Sequence, residues 1–175
     1  MPNAATGNYL IRLDRGVFDA IYEDPSERAA INSIMKKITL LGDSKAMMGI
    51  SICFMAYGGD RQLETGRLLS SAFVGSGLVV YGLKEFVRRK RPLEDELGNP
   101  SFPSGHTAFA FTIAKILSSQ YRRWRVPFYV GAGLVGLSRI WLGRHYPSDV
   151  LMGAVLGTVT GTVVLTNRFT LLSWE

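Results

Sequence analysis

Cysteine and histidine are scarce in this chain, and each scarcity excludes something. The single cysteine, Cys53, lies inside an apolar run, so an internal disulfide is impossible and nothing follows about redox compartment. The first 45 residues hold no continuous apolar core, so no cleavable signal peptide is expected. No basic stretch is interleaved with aromatics in the manner of an RNA-binding sheet. The net charge of +6 therefore points away from nucleic acid and toward an anionic membrane surface or an anionic substrate. Mean hydropathy is only +0.13, low for a chain buried wholly in lipid, but the polar residues are segregated and the average conceals it. There are two histidines, His106 and His145, and both fall in the same set of polar stretches.

Taken in order, Asn8 to Tyr22 places Leu10, Leu13, Val17, Phe18 and Ile21 at helical spacing, with Arg12, Arg15 and Asp19 between them. This predicts an amphipathic helix, lying in the membrane interface or packed on the rest of the chain. Asp24-Pro25-Ser26 breaks it. A second helix is predicted from Glu27 to Leu41, with Ile31, Ile34, Met35, Ile38 and Leu41 on one face, ended by Gly42-Asp43-Ser44.

Five apolar runs follow: 46–59 (extended to Ser44 if Lys45 snorkels), 68–87, 104–119, 127–142 and 149–166. The segment Asp60 to Thr65 reads as a charged loop. Several runs are shorter than the roughly 20 residues that cross a bilayer. Five of them nevertheless leave too little other sequence to cover them in water. The expected fold is all-α, a polytopic membrane bundle of about five transmembrane helices preceded by amphipathic interfacial helices. Residues 1–175 are expected to form a single domain, with 1–43 as the amphipathic segments and 44–166 as the membrane core. Gly153, Gly157 and Gly161 recur every four residues, and Gly131, Gly133 and Gly136 line the preceding run, a spacing that suits close helix packing.

Three polar stretches sit at the edges of these runs: Lys84 to Pro92, Pro103-Ser104-Gly105-His106, and Ser138-Arg139 with His145 and Asp149. Because spans alternate sides, all three are expected at the same side of the membrane. A helix continuing to Pro92 would place Lys84 and Arg91 on one face. The neighbouring Arg88, Arg89 and Lys90 fit a juxtamembrane cluster that binds headgroups or sets topology. Ser104 suits a helix N-cap, Gly105 lets an anion approach the backbone, and the free N–H groups there form an anion site beside His106. Asp149, four residues after His145, can reach an imidazole nitrogen and fix its tautomer, leaving the other to attack. Arg139 can hold phosphate oxygens through its planar fork, or can simply snorkel at a span end.

Lys-x6-Arg-Pro, Pro-Ser-Gly-His and Ser-Arg-x5-His-x3-Asp occur here in that order without a gap, from Lys84 to Asp149. In this the chain resembles the type 2 phosphatidic acid phosphatase family. It departs from the commoner six-span members at the N-terminus, where two amphipathic segments stand in place of a first span. The resemblance implies a metal-independent enzyme, without cofactor, that hydrolyses the phosphomonoester or diphosphate of a membrane lipid. Candidates are a polyprenyl phosphate or diphosphate, phosphatidylglycerol phosphate, phosphatidic acid and a lipid A phosphate. It implies His145 as nucleophile, Asp149 as its orienting partner and His106 as general acid and then base. Lys84, Arg91 and Arg139, with Ser104 and Gly105, hold the phosphate. A lipid phosphotransferase using the same phosphohistidine is the alternative, distinguished by headgroup transfer to an alcohol. Headgroup choice is expected to lie in loop 93 to 102 and the N-terminal segments. Arg61, Arg67, Arg122, Arg123, Arg125 and Arg168 fall on the side opposite the site, which predicts that side as cytoplasmic and the site as extracytoplasmic, in the cell (inner) membrane.

Overall fold

The computed structural model describes residues 4–22, 28–93 and 98–172, and among them all regular structure is helical. The helices are α1 (Ala4–Ile21), α2 (Ala29–Thr39), α3 (Ser44–Tyr57), α4 (Asp60–Val87), α5 (Gly105–Gln120), α6 (Arg125–Trp141), α7 (Pro147–Thr166) and the short α8 (Arg168–Leu172). The five apolar runs each coincide with one of α3 to α7. The break expected at Asp24-Pro25-Ser26 and the helix start at Glu27 lie outside the described residues.

Two boundaries differ from expectation. The charged segment Asp60 to Thr65 is the beginning of α4 and not a loop. Gly59 precedes it, Asp60 sits where the helix dipole favours an anion, and nothing from Arg61 to Thr65 interrupts a helix. The Thr65 hydroxyl donates back to the Arg61 carbonyl at 2.8 Å. At its other end α4 stops at Val87, where Arg88 takes a left-handed conformation (φ 47°, ψ 36°) and its N–H caps the Lys84 carbonyl. Lys84 and Arg91 therefore do not share a helix face; Arg91 lies on the irregular strap beyond the cap.

α5 is the central helix, packed against α4, α6 and α7. Its contact with α7 is made backbone to backbone: a Cβ on Gly153 would stand 2.6 Å from the Ser104 carbonyl oxygen, and one on Gly157 would stand 2.2 Å from that of Ala108. The opposite face of α7 turns Leu151, Val155, Val159 and Val163 outward, all about half exposed or more. In α6 only Gly136 of the three glycines is packed, against Val150; Gly131 and Gly133 have no neighbour within 4 Å of an added Cβ. Met47, Leu68, Leu69, Ala72, Ile113 and Ile116 form the main core, where α3, α4 and α5 meet.

By length and composition, α4 (28 residues) and α7 (20 residues) can cross a membrane. A third crossing is supplied by α2 and α3 if they are one span, bent by 55° at a break. α5 and α6, at 16 and 17 residues, are shorter than about 30 Å of hydrocarbon requires at about 1.5 Å per residue. The outward apolar faces, with Leu78 and Leu151 both 68% exposed and Val126 70% exposed, are those of an integral membrane protein.

The N-terminal helices pack on the bundle with mixed faces. Phe18 of α1 is buried, stacked on Tyr22 and tilted against Tyr146, whereas Ile11, Leu13 and Val17 point away. In α2, Asn32 and Thr39 are buried, Ile31, Met35 and Ile38 of the stripe read from the sequence are half-buried and Ile34 is exposed, so that stripe faces inward only in part and polar side chains take the deepest positions. Asn32 Oδ1 instead accepts from the Trp141 indole at 2.8 Å.

Candidate active site

The three polar stretches meet at one end of the bundle and are tied by backbone hydrogen bonds. The Ser104 N–H donates to the Asp149 carbonyl at 3.0 Å, and the Ser101 N–H to the Arg89 carbonyl at 2.7 Å. The break between α2 and α3 joins them. An added Cβ on Gly42 would stand 2.5 Å from the His106 carbonyl oxygen, and Asp43 caps α3 by accepting from the Lys45 N–H at 2.8 Å.

His145 lies in the turn between α6 and α7 and is 2% exposed. Its Nδ1 is 2.7 Å from the Ser101 carbonyl oxygen, which can only accept, so Nδ1 carries the hydrogen and Nε2 holds the lone pair. Asp149 is one layer further back, with Oδ2 3.8 Å from Nδ1, beyond hydrogen-bonding distance. That carboxylate accepts from the Ser101 hydroxyl and from the Tyr146 N–H at 2.9 Å. The direct imidazole–carboxylate bond expected from the spacing is thus replaced by a chain in which Ser101 joins the two. Burial lowers the His145 pKa to about 4, against the pull of Asp149 and with help from the charge on Arg139, so the ring is neutral at pH 7.

The cations are arranged differently. Lys84 Nζ donates to the Pro100 carbonyl, and Arg91 Nε to that of Asn99 at 3.0 Å. Arg139, in the last turn of α6 and 8% exposed, donates to the Thr39 hydroxyl at 2.9 Å, while its Nε is buried with no hydrogen-bond partner. A buried donor left unmet is costly, and a phosphate oxygen is the partner that a guanidinium fork fits. His106 begins α5 beside Gly105, with Nε2 3.7 Å from Asp43 Oδ2, so Asp43 supplies a counter-charge for a protonated ring. Ser104 is fully buried; its hydroxyl is 2.8 Å from that of Thr107 and caps the helix. Protein packing does not require a glycine at 105, since an added Cβ would make only an ordinary 3.5 Å contact with Val80. Among the described residues no group of three or more His, Cys, Asp or Glu side chains is placed to hold a metal.

Several residues here were not singled out from the sequence. Ser101 is one, and Thr39 and Asp43 are brought in by the break between α2 and α3. Arg89 is another: no local signal separates it from Arg88 and Lys90, yet it alone of the three reaches Asp149, at 2.7 Å.

A membrane-embedded helical bundle that gathers a neutral buried histidine, a second histidine and three cations at one end is the architecture of a phosphotransfer enzyme. The family model of the PAP2 superfamily matches residues 65–172, more than half of the chain, and the chain belongs to that superfamily. It is 29% identical to a lipid A 1-phosphatase of Rhizobium etli over 84% of this chain and 75% of that protein. It is 30% identical to an undecaprenyl-diphosphatase of Bacillus subtilis over 83% of this chain and 79% of that protein. The crystal structure of a transmembrane PAP2-type phosphatidylglycerolphosphate phosphatase from Bacillus subtilis superposes with a TM-score of 0.76 at 26% identity, covering 96% of this chain and 90% of that one.

Proposed function

We propose that this chain removes phosphate from a membrane lipid through a phosphohistidine on His145. It is a membrane lipid phosphatase, and the observation that carries the mechanism is the pairing of opposites at one site. A neutral His145 has its Nε2 lone pair uncommitted by the Nδ1 bond, and Arg139 offers an unmet buried donor. In this reading Nε2 attacks phosphorus and the bond to the lipid oxygen breaks. His106 gives its proton to the leaving oxygen and then takes one from the water that attacks the phosphohistidine, releasing phosphate. Lys84, Arg91 and Arg139 meet the equatorial oxygens, with the N–H groups at Ser104 and Gly105 adding donors. Positioning and charge stabilisation carry most of phosphoryl transfer, and these side chains supply both. Asp149 acts on His145 through Ser101.

We read the chain as one membrane-embedded unit in which α3 to α7 cross the bilayer, the short α5 enclosed by its neighbours and α6 turning Val126, Val130 and Leu134 outward. Arg61, Arg67, Arg122, Arg123, Arg125 and Arg168 lie at the end away from the site, which supports an extracytoplasmic site in the cell membrane. Beside the site a cavity of about 830 Å³ is lined by Arg15, Arg88, Arg89, Lys90 and Arg91, with Glu85 as a lone carboxylate and Tyr146 as the aromatic side chain. Its position supports headgroup selection by α1 and the loop before Ser104; residues 94–97 of that loop lie outside the described residues. The test is phosphate release by purified protein in detergent, with chelator present, from polyprenyl phosphate and diphosphate, phosphatidylglycerol phosphate, phosphatidic acid and lipid A. Release from at least one is expected, and release from none would sink the reading.

A further inference from the structure

Asp149 is fully buried and carries a charge that Ser101 and Tyr146 alone, as neutral donors, do not balance. The balance comes from Arg89. One terminal nitrogen donates to Asp149 Oδ1 at 2.7 Å and to the Ser148 hydroxyl at 2.7 Å, and the other reaches Asp14 Oδ2 of α1 at 2.5 Å. Asp14 grips the start of α7 as well, accepting from the Ser148 N–H at 2.9 Å and the Ser148 hydroxyl at 2.6 Å. The guanidinium lies over the Tyr146 ring, 4.1 Å from its centroid. The Arg89 carbonyl takes the Ser101 N–H. Arg89 thus holds two members of the chain that leads to His145: the Asp149 carboxylate through its side chain and Ser101 through its backbone. A planar fork that bonds two carboxylates and stacks on a ring has no equivalent in lysine.

We propose that Arg89, braced by Asp14, is a positioning residue for the chain Asp149–Ser101–His145, a role that rests on His145 being the nucleophile. The amphipathic helix α1 then belongs to the catalytic apparatus: it supplies the carboxylate that fixes the guanidinium against Asp149. Neither residue is assigned a phosphate oxygen, and an aryl phosphate carries no lipid headgroup to meet the cavity that Arg89 lines, so on that substrate KM is held when they are changed and the rate of attack falls.

The experiment is base-quenched burst kinetics on purified protein in detergent, with radiolabelled dioctanoyl phosphatidic acid and an aryl phosphate as substrates. A small misplacement of a reacting group costs up to about 10²-fold in rate. Arg89→Gln is expected to slow phosphoenzyme formation by about 10- to 10²-fold with KM for the aryl phosphate within about twofold, Arg89→Lys to recover part of the loss, and Asp14→Asn to lose about 3- to 10-fold. Because the two residues share a contact, the double variant Asp14→Asn/Arg89→Gln should lose less than the product of the two single losses. Arg12→Gln, exposed on the same helix, should keep the wild-type burst. A wild-type burst that is unchanged in Arg89→Gln, or effects that multiply in the double variant, overturns the positioning role and leaves the phosphohistidine intact. No phosphoenzyme in the wild-type protein overturns both. If Arg89→Gln does not fold, Asp14→Asn decides alone: a slower burst at unchanged KM supports the proposal, and an unchanged burst overturns it.

Discussion

The two halves of the site are built on opposite terms. Around Asp149 every polar group has a partner: Arg89, Ser101 and Tyr146 surround a carboxylate that is fully buried. Around the proposed phosphate position the partners are missing or weak. Among the described residues neither Lys84 nor Arg139 makes an ion pair; they hold a carbonyl and a hydroxyl, and Arg139 Nε holds nothing. The first half is complete without a ligand and, in the proposed mechanism, keeps the nucleophile in place. The second is complete only with an anion. The difference teaches that one half should fail as structure when mutated, and the other as chemistry.

The largest effect separates the two histidines from everything else. His145→Ala should abolish turnover of every substrate with no covalent intermediate trapped, because in the proposed mechanism no other group forms the bond to phosphorus. His106→Ala should still be phosphorylated by an aryl phosphate, whose leaving group needs no proton, but should lose about 10²–10⁴-fold on a lipid phosphate. Label trapped in His145→Ala and absent from His106→Ala would reverse the two roles.

Next come the two halves themselves. Arg139→Met keeps the apolar stem and removes the charge. It should lose about 10²–10³-fold in kcat while costing no more than about 1 kcal/mol in unfolding. Asp149→Asn removes the buried one of the two carboxylates that Arg89 bridges, leaving Asp14, and should cost about 3 kcal/mol in stability as well as activity. Equal stability losses in the two variants, measured by thermal unfolding in one detergent, would erase the contrast.

A smaller effect is expected in the pH dependence. His145 is held near 4 in the folded protein against an ordinary 6.5. The folded state therefore disfavours the proton, so this contribution to stability is complete above about pH 6.5 and declines as pH falls toward 4. Attack needs the same neutral ring. The acid limb of phosphoenzyme formation should consequently lie near pH 4, and a limb at 6.5 would place His145 in a more solvated setting.

The smallest expected effect is none. EDTA should leave the rate unchanged if the cations alone hold the phosphate. Vanadate, a stand-in for the five-coordinate transition state, should inhibit and should raise the melting temperature. Loss of activity to EDTA, restored by magnesium, would assign part of the charge stabilisation to a metal.

Much of the arrangement is legible in the sequence because its causes are local. Apolar run lengths locate α3 to α7, and Pro147 and Ser104 mark helix starts through fixed φ and capping. Alternation of runs across a bilayer is enough to bring Lys84, His106 and His145 to one end. What is not legible depends on side-chain reach or backbone geometry without a residue signature. The left-handed turn falls at Arg88, a residue that seldom marks one, so the helix does not run on to Arg91. The spacing of His145 and Asp149 permits a direct bond, and only the fold of residues 99–103 places Ser101 between them. The N-terminal stripes locate Phe18 and Ile38 against the bundle but miss the polar inward contacts: Asp14, Asn32 and Thr39 bond to Arg89, Trp141 and Arg139.

The glycine at 153 has a further meaning. It stands one turn below Asp149, and its bare backbone rests against the carbonyl of Ser104, two residues before His106. The gap between two helix starts, one leading from His145 and the other bearing His106, is therefore set by the absence of a single methyl group. Gly153 works as a gauge: with alanine there the starts must part, and the distance across which attack and proton transfer cooperate would change without any alteration to a group that meets the phosphate.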